Sequence, residues 1–209
     1  MLTWNNNEEN FQIKFAHTFT NFNPETDTAY FAWTYPYSFE QSLRGTQKLL
    51  QRFKRHDSIY IHREVLYYSR ERRPMELITF TSKTKMRRGE EREKLIEGLF
   101  PDAKGNPKKR PLRFDKPTVF ISSRVHPGET PASFVLDGIW KFLTNENSHQ
   151  AKVLLDNFVF KVVPMLNPDG VYRGYYRLDT LGQNLNRYYI EPTKEEQPTI
   201  WAVKQAIKQ

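Results

Sequence analysis

The sequence contains no cysteine, few histidines and no long apolar run, and each shortage excludes a class of protein. Without cysteine there is no disulfide and no thiolate metal site, so any transition metal must be held by His, Asp or Glu. Five histidines are available for that purpose. No stretch approaches the ~20 apolar residues that cross a bilayer, and the N-terminus MLTWNNNEEN lacks the basic start and apolar segment of a secretory signal. We therefore expect a globular, cytoplasmic chain without a membrane partner.

Positive charge is in excess and is unevenly distributed. The formal net charge is +8, and residues 83–116 hold twelve Lys or Arg against six Asp or Glu. A basic surface attracts anionic partners such as acidic polypeptides, although a mixed charge run is equally typical of a solvated loop. Aromatic residues that could stack on bases are not interleaved with these charges, so the pattern does not favour a nucleic-acid partner.

The first 82 residues are rich in strand patterns. The runs FQIKFAHTF, TAYFAWTY and ELITFTS alternate or are aromatic, and Asn, Pro and Asp turns separate them. Between them, FEQSLRGTQKLLQRFK has apolar residues at helical spacing and predicts a helix despite its glycine. The segment PDAKGNPKKRP then predicts an exposed loop that joins this part to the second half.

The second half has the pattern of a βαβ unit. PTVFISS and NFVFKVV are continuous apolar runs, as expected of strands buried on both faces. Thr130 and Pro131 predict a helix start with a hydroxyl cap, and the apolar stripe Val135, Ile139, Phe142 and Leu143 predicts the face that meets the core. In open α/β sheets ligands bind at the loops beyond the carboxyl ends of the strands. Residues 124–129 form such a loop.

The motif RVHPGETPAS in that loop sets His126 and Glu129 around a Pro-Gly pair. Pro127 fixes its own φ and Gly128 permits unusual dihedrals, so the turn can hold both flanking side chains on one side. Zinc accepts imidazole nitrogen and carboxylate oxygen, and a catalytic zinc site needs three protein ligands and an open position. The turn predicts two of the three. A chance spacing is the alternative, because His and Glu three residues apart occur often.

A second constellation follows the next predicted strand in NPDGVYRGYYRLDTLGQNLNR. Three arginines, Arg173, Arg177 and Arg187, lie close together in sequence at the ligand-binding edge of the sheet. Arginine can hold a carboxylate through two parallel hydrogen bonds or stabilise an oxyanion. The alternative is that these arginines form surface salt bridges with Asp169 and Asp179.

Three motifs carry a resemblance to a known family. SSRVHPGETPAS, VVPMLNPDGVYRGYYR and GQNLNRYY resemble the zinc-binding and substrate-binding motifs of M14-type metallocarboxypeptidases. Within that family they resemble the cytosolic carboxypeptidases that remove glutamates from tubulin, and the sequences of the motifs are nearest to those of the fifth type. AYFAWTYPYSFEQSL and IHREVLYYSRERRPMELITFTS are similar to the small β-sandwich that precedes the catalytic domain.

The resemblance implies a role for five residues. His126 and Glu129 match the first two zinc ligands, and Arg177 matches the arginine that polarises the scissile carbonyl and holds its oxyanion. Asn186 and Arg187 match the clamp for the terminal carboxylate of the substrate. Arg124 and Arg173 receive a structural role, and Asp169 is expected to close its own turn. The implied cofactor is Zn²⁺ and the implied partner is an acidic polypeptide such as a glutamylated tubulin tail.

The resemblance also implies a domain division and a missing part. We expect a partial β-sandwich over residues 1–82, a basic join over 83–116, and the first part of an α/β zinc carboxypeptidase domain over 117–209, with a mixed, largely parallel sheet and flanking helices. The third ligand, a histidine of an HGH-like segment, and the catalytic glutamate have no counterpart in these 209 residues. The chain is therefore expected to be an inactive fragment of a glutamate-removing enzyme, cytoplasmic and associated with microtubules. The alternatives are a non-catalytic module that binds acidic tails and a zinc deacylase of related fold.

Overall fold

The computed structural model describes residues 3–5 and 12–208, and these fall into two compact units that divide between Trp33 and Thr34. In the first unit β1 (Thr3–Asn5) pairs antiparallel with β2 (Gln12–Lys14). The strand predicted over residues 11–19 is therefore shorter than expected, and Phe11 lies outside the described residues. The strand predicted over residues 28–35 does not form, and Tyr30, Phe31, Trp33 and Tyr35 are exposed there.

The second unit is built on one four-stranded sheet in the order β3-β4-β6-β5. Its strands are β3 (Ile59–Tyr68), β4 (Pro74–Ser82), β5 (Thr118–Ser122) and β6 (Val159–Val163). β3 and β4 form an antiparallel hairpin, β4 pairs antiparallel with β6, and β5 pairs parallel with β6. The α/β class and the mixed sheet are confirmed, but two of these three pairings are antiparallel.

The position of the hairpin corrects the predicted domain division. Residues 59–82 were assigned to a separate sandwich, yet Ile78–Phe80 of β4 pair with Phe160–Val162 of β6 in the main sheet. The basic segment 83–116 therefore connects two strands of one sheet instead of joining two domains. Ion pairs with carboxylates are formed by three of its twelve basic residues, Arg87, Arg110 and Arg113.

Helices cover the sheet on both faces. They are α1 (Phe39–Phe53), α2 (Pro131–Leu143), α3 (His149–Asn157), α4 (Pro168–Arg173) and α5 (Pro198–Ile207). One core contains residues of β4 and β6 together with α1, α2 and α3; the other contains β3, β4 and α5, with Leu166 and Leu185 among its buried residues. No described helix is both long and apolar enough to span a bilayer.

α1 has the bounds that its apolar spacing predicts, with the Ser38 hydroxyl accepting from the Gln41 N–H as an N-cap. α2 is present but rotated relative to its predicted stripe. Its buried face is Ser133, Leu136, Trp140 and Leu143, whereas Val135 and Phe142 are exposed. Thr130 has helical dihedrals and makes no capping hydrogen bond, so the predicted hydroxyl cap is wrong.

The βαβ unit itself is as predicted. β5, α2 and β6 follow one another, and the two strands lie side by side in parallel. β6 is buried along its whole length, in agreement with its apolar run, but β5 is only partly buried because it is one of the two edge strands of the sheet among the described residues. The loops that follow β5 and β6 both begin at the carboxyl ends of these parallel strands and carry the candidate site.

Candidate active site

The backbone between β5 and α2 joins the loop after β6 through a ladder of main-chain hydrogen bonds. Leu166 donates to the Ser123 carbonyl at 2.9 Å and Asn167 donates to the Arg124 carbonyl at 3.1 Å. The buried Asn167 side chain extends the connection, because its Nδ2 donates to the carbonyls of Val125 and Leu178. The two loops that carry the predicted site residues are therefore held together as one structure.

Two glycines allow the turn at residues 126–129 to lie against the second loop. A Cβ on Gly128 would lie 2.8 Å from the Tyr176 carbonyl oxygen, to which the Gly128 N–H donates at 2.7 Å. A Cβ on Gly170 would lie 2.4 Å from the Pro127 ring. Real Cβ atoms do not approach other atoms this closely, so both positions depend on the absence of a side chain. The close approach brings Arg177, the residue after Tyr176, to the turn.

His126 and Glu129 converge as predicted. His126 is buried and its Nδ1 lies 2.9 Å from Oε1 of Glu129, whose side chain is half-exposed. Nη1 of Arg177 lies 3.4 Å from the same Oε1. The carboxylate oxygen of Glu129 is therefore the point at which an imidazole, a carboxylate and a guanidinium meet, at the carboxyl end of β5.

Asn184, which the sequence analysis gave no role, lies on the other side of the imidazole. Its Oδ1 is 3.0 Å from Nε2 of His126 and also accepts from the Asn186 N–H at 3.1 Å. Because a backbone N–H needs an acceptor, that atom is the amide oxygen, and Nε2 of His126 must carry a proton. This arrangement leaves Nδ1 to face the Glu129 carboxylate.

The contacts of His126 provide a test of whether a metal ion fits. Both ring nitrogens face atoms that only accept hydrogen bonds, so a cation is required between Nδ1 and Oε1, either a proton or a metal ion. Zinc binds these two atom types at about 2.0–2.2 Å, and the 2.9 Å separation allows one ion to contact both. A hydrogen-bonded second nitrogen is the usual arrangement of a metal-bound histidine. Among the described residues, however, no group of three or more His, Asp or Glu could hold a metal ion.

Asn186 and Arg187 lie in a 3₁₀ turn, Leu185–Arg187, directly after Asn184. Both are exposed, and the guanidinium of Arg187 donates only to the neighbouring Asn186 carbonyl, at 3.3 Å. None of the ion pairs found in the described part of the chain involves Arg187. Its guanidinium is therefore available to bind a carboxylate.

The role expected for Asp169 is wrong. The side chain of Asn167 closes the turn, since its Oδ1 accepts from the Gly170 N–H at 3.0 Å. Asp169 is buried and accepts instead from the β3–β4 hairpin: from Ser69 Oγ at 2.6 Å, from the Glu71 N–H at 3.0 Å and from Arg73 Nη1 at 2.8 Å. The carboxylate therefore anchors α4 to the sheet.

The salt bridges considered for Arg173 as the alternative interpretation form with a different partner. Arg173 binds the Glu71 carboxylate through Nε and Nη2 at 2.9–3.1 Å, not Asp169 or Asp179. Asp179 accepts from the N–H groups of Leu181 and Gln183 and so closes a turn of its own. Of the three arginines in this segment, only Arg177 pairs with a residue of the turn at 126–129, the predicted metal turn.

Fold and sequence together place the chain in a family of zinc carboxypeptidases. The profile of the M14 zinc carboxypeptidases matches residues 46–203, and the chain belongs to that family. A solved metallo-carboxypeptidase from Burkholderia cenocepacia superimposes with a TM-score of 0.59 and 28% identity, over 83% of this chain and 38% of its own.

Within the family, the chain is similar to cytosolic carboxypeptidases. It is 42% identical to cytosolic carboxypeptidase-like protein 5 of Rattus norvegicus, over 98% of this chain and 25% of that protein. To cytosolic carboxypeptidase 6 of Mus musculus it is 37% identical, over 95% of this chain and 31% of that protein. The resemblance to the fifth type is confirmed. The chain spans about a quarter to a third of the length of these relatives.

Proposed function

We propose that this chain carries the zinc turn and the carboxylate clamp of a metallocarboxypeptidase that removes C-terminal or branch-point glutamates from acidic protein tails, such as those of glutamylated tubulin. The observation that carries the proposal is the meeting of His126 Nδ1 and Arg177 Nη1 at Oε1 of Glu129. Family membership supports the reaction class, and the names of the relatives support a cytoplasmic location. The glutamate specificity and the microtubule association are inferred from the resemblance of the motifs.

In this proposal His126 and Glu129 would be two of the residues that hold Zn²⁺. The bound ion would supply a Lewis acid that lowers the pKa of water toward about 7. The hydrogen bond from His126 Nε2 to Asn184 fixes the ring orientation and keeps Nδ1 available as a ligand. We assign the third ligand and the general base to residues outside the 209 of this chain.

Arg177 and Arg187 divide the recognition of substrate between them. Arg177 is 44% exposed beside the metal turn, so its guanidinium can donate to the scissile carbonyl and stabilise the negative charge that develops there. One such donor typically contributes about 3 kcal/mol to catalysis. Arg187, with the amide of Asn186, can bind a free terminal carboxylate, which explains why cleavage is limited to chain ends and branches.

The acidic substrate is supported by charge at the site itself. The formal net charge is +8, but Arg87, Arg110 and Arg113 of the basic segment 83–116 already pair with carboxylates. Arg177 and Arg187 are exposed at the site, so they are the cations that a substrate carboxylate would meet there.

The test is glutamate release by the full-length protein with zinc present, measured on a glutamylated tail peptide. We expect Arg187→Ala to raise KM, since the clamp is lost, and Arg177→Ala mainly to lower kcat, by about 10²–10³-fold. The matched control is Arg52→Ala, because Arg52 is a half-exposed arginine that pairs with Glu146 away from the site. The same peptide with the α-carboxylates of its terminal and branch glutamates amidated should not be cleaved.

Four outcomes would contradict the proposal. Release of no glutamate by the full-length protein would exclude the glutamate-removing activity, and binding of the peptide without cleavage, insensitive to a chelator, would favour a non-catalytic module. Removal of an acyl group from a lysine side chain, with no cleavage of peptide termini, would favour a deacylase. Unchanged kinetics in both arginine variants would show that their roles are misassigned.

A further inference from the structure

Arg124 is the most unusual residue near the metal turn. It follows β5 by two positions, is buried to 3% exposure and has a φ of 60°, in the left-handed region that a residue with a side chain rarely adopts. Strained backbone of this kind persists only where the surrounding structure enforces it, and it is concentrated at functional sites.

The guanidinium of Arg124 forms hydrogen bonds to the centre of the metal turn. Its Nε and Nη2 both donate to the Pro127 carbonyl, at 3.1 and 2.5 Å. Its Nη1 donates to the Tyr37 carbonyl at 3.1 Å and to Ser133 Oγ at 2.9 Å. Pro127 lies between the two predicted ligands, so one side chain connects the turn to α2 and to the segment before α1.

All four hydrogen bonds go to neutral oxygens. No carboxylate of the described residues forms an ion pair with Arg124, in contrast to the equally buried Arg110, which pairs with Glu64 and Glu93. Arginine stays protonated in proteins, so this position holds a buried charge. A buried charge without a counter-charge is expensive, and a neutral side chain of similar size would avoid that penalty. General stability therefore does not account for an arginine at this position.

The turn is also held from its other side. The Pro127 ring lies against Gly170 of α4, and Gly128 donates to Tyr176. Pro127 is therefore held both by its ring and by its carbonyl. This fixes the backbone of the turn that carries the His126 and Glu129 side chains.

We propose that Arg124 is a positioning residue for the metal site: by holding the Pro127 carbonyl it keeps His126 Nδ1 and Glu129 Oε1 at the separation that one ion can bridge. The inference rests on the proposed function, because it takes His126 and Glu129 as metal ligands. It adds a determinant of metal affinity that contacts neither the ion nor the substrate.

The direct test is the zinc affinity of Arg124→Met in the full-length protein, measured by competition with a chromophoric chelator below the unfolding temperature. We expect affinity to fall by about 10–100-fold, the usual effect of removing a residue that orients a metal ligand. Ser133→Ala is the matched control, because it removes one partner of Arg124 and leaves both bonds to Pro127 intact. Its affinity should stay within about threefold of wild type. A purely structural role would lower the unfolding temperature of both variants and leave zinc affinity unchanged in both, which would overturn the inference.

A measurement on the unmodified chain covers the case in which Arg124→Met does not fold. Binding equilibria are reciprocal, so if the grip on Pro127 favours zinc binding, zinc must strengthen that grip. The Nε–H of Arg124, followed by NMR, should therefore exchange with solvent more slowly when zinc is added. An unchanged exchange rate at saturating zinc would contradict the inference.

His126→Ala separates the two levels of the argument. If it has the same zinc affinity as wild type, the metal turn is misassigned and the proposed function fails. If His126→Ala loses zinc but Arg124→Met does not, only the role of Arg124 is wrong.

Discussion

Gly128→Ala tests whether the metal turn depends on its contact with the loop that carries Arg177. The added Cβ would lie 2.4 Å from Tyr176 Cδ2, 2.8 Å from its carbonyl oxygen and 3.0 Å from its Cα. The ring can rotate away, but the two backbone atoms cannot. Gly128 does not have a positive φ, so the substitution acts through this clash and not through backbone strain.

The magnitude follows from two contributions. Overpacking against fixed atoms costs about 1–3 kcal/mol, and loss of the hydrogen bond from Gly128 to Tyr176 adds about 1 kcal/mol. For a chain of this size, 1 kcal/mol corresponds to about 2–4 °C in Tm, so thermal unfolding should occur roughly 5–15 °C below wild type.

Gly138→Ala is the control, since a Cβ at this exposed position in α2 meets nothing within 4 Å. Alanine favours a helix over glycine by up to about 1 kcal/mol, so the Tm should rise by about 2–4 °C. A Gly128→Ala variant that unfolds at or above the wild-type temperature would refute the close approach of the two loops.

Two further predictions concern the supports of the site and the pH dependence of the fold. Asp169→Asn breaks a buried ion pair and should lower the free energy of unfolding, measured in urea, by about 3 kcal/mol. The control is Asp156→Asn, in the exposed pair with Lys152, which should change that free energy by less than about 0.5 kcal/mol. Equal effects would show that Asp169 is not an anchor. Burial lowers the pKa of His62 to about 4, although the Lys109 carbonyl opposes the shift, so wild type should lose up to about 3 kcal/mol as pH falls from 6.5 through 4. His62→Gln should lack that part of the acid destabilisation, and identical pH profiles of unfolding would refute it.

Features that depend only on neighbouring residues could be predicted from the sequence. The apolar run at 157–163 predicted a buried strand, and β6 is buried at every position. The order strand, loop, helix, strand placed His126 and Glu129 at the carboxyl end of β5, where the structure has them. These predictions needed only the spacing of apolar residues and the positions of turn-forming residues nearby.

Pairing between distant segments was not predictable in the same way. Nothing in ELITFTS states that β4 pairs with β6, some 80 residues later, so its assignment to a sandwich rested on resemblance alone. The face of α2 that is buried depends on what packs against it, and both the predicted and the observed stripes contain apolar residues. Asp169 was expected to close the turn that Asn167 closes, because either side chain can do so, and only the nearby hairpin decides between them.

Asn184 was missed for a related reason. In GQNLNR it is one of two asparagines two residues apart, and the resemblance assigned a role only to Asn186. What distinguishes Asn184 is a contact with His126, 58 residues earlier in the chain, and no local pattern carries that information.

The most direct test of the metal turn is the NMR spectrum of the His126 imidazole during a zinc titration. The structure predicts that Nδ1 becomes the metal ligand, with a large change in its ¹⁵N shift, while Nε2 keeps its proton and its hydrogen bond to Asn184. Loss of the Nε2 proton on addition of zinc, or a spectrum in which neither nitrogen responds, would contradict the assignment.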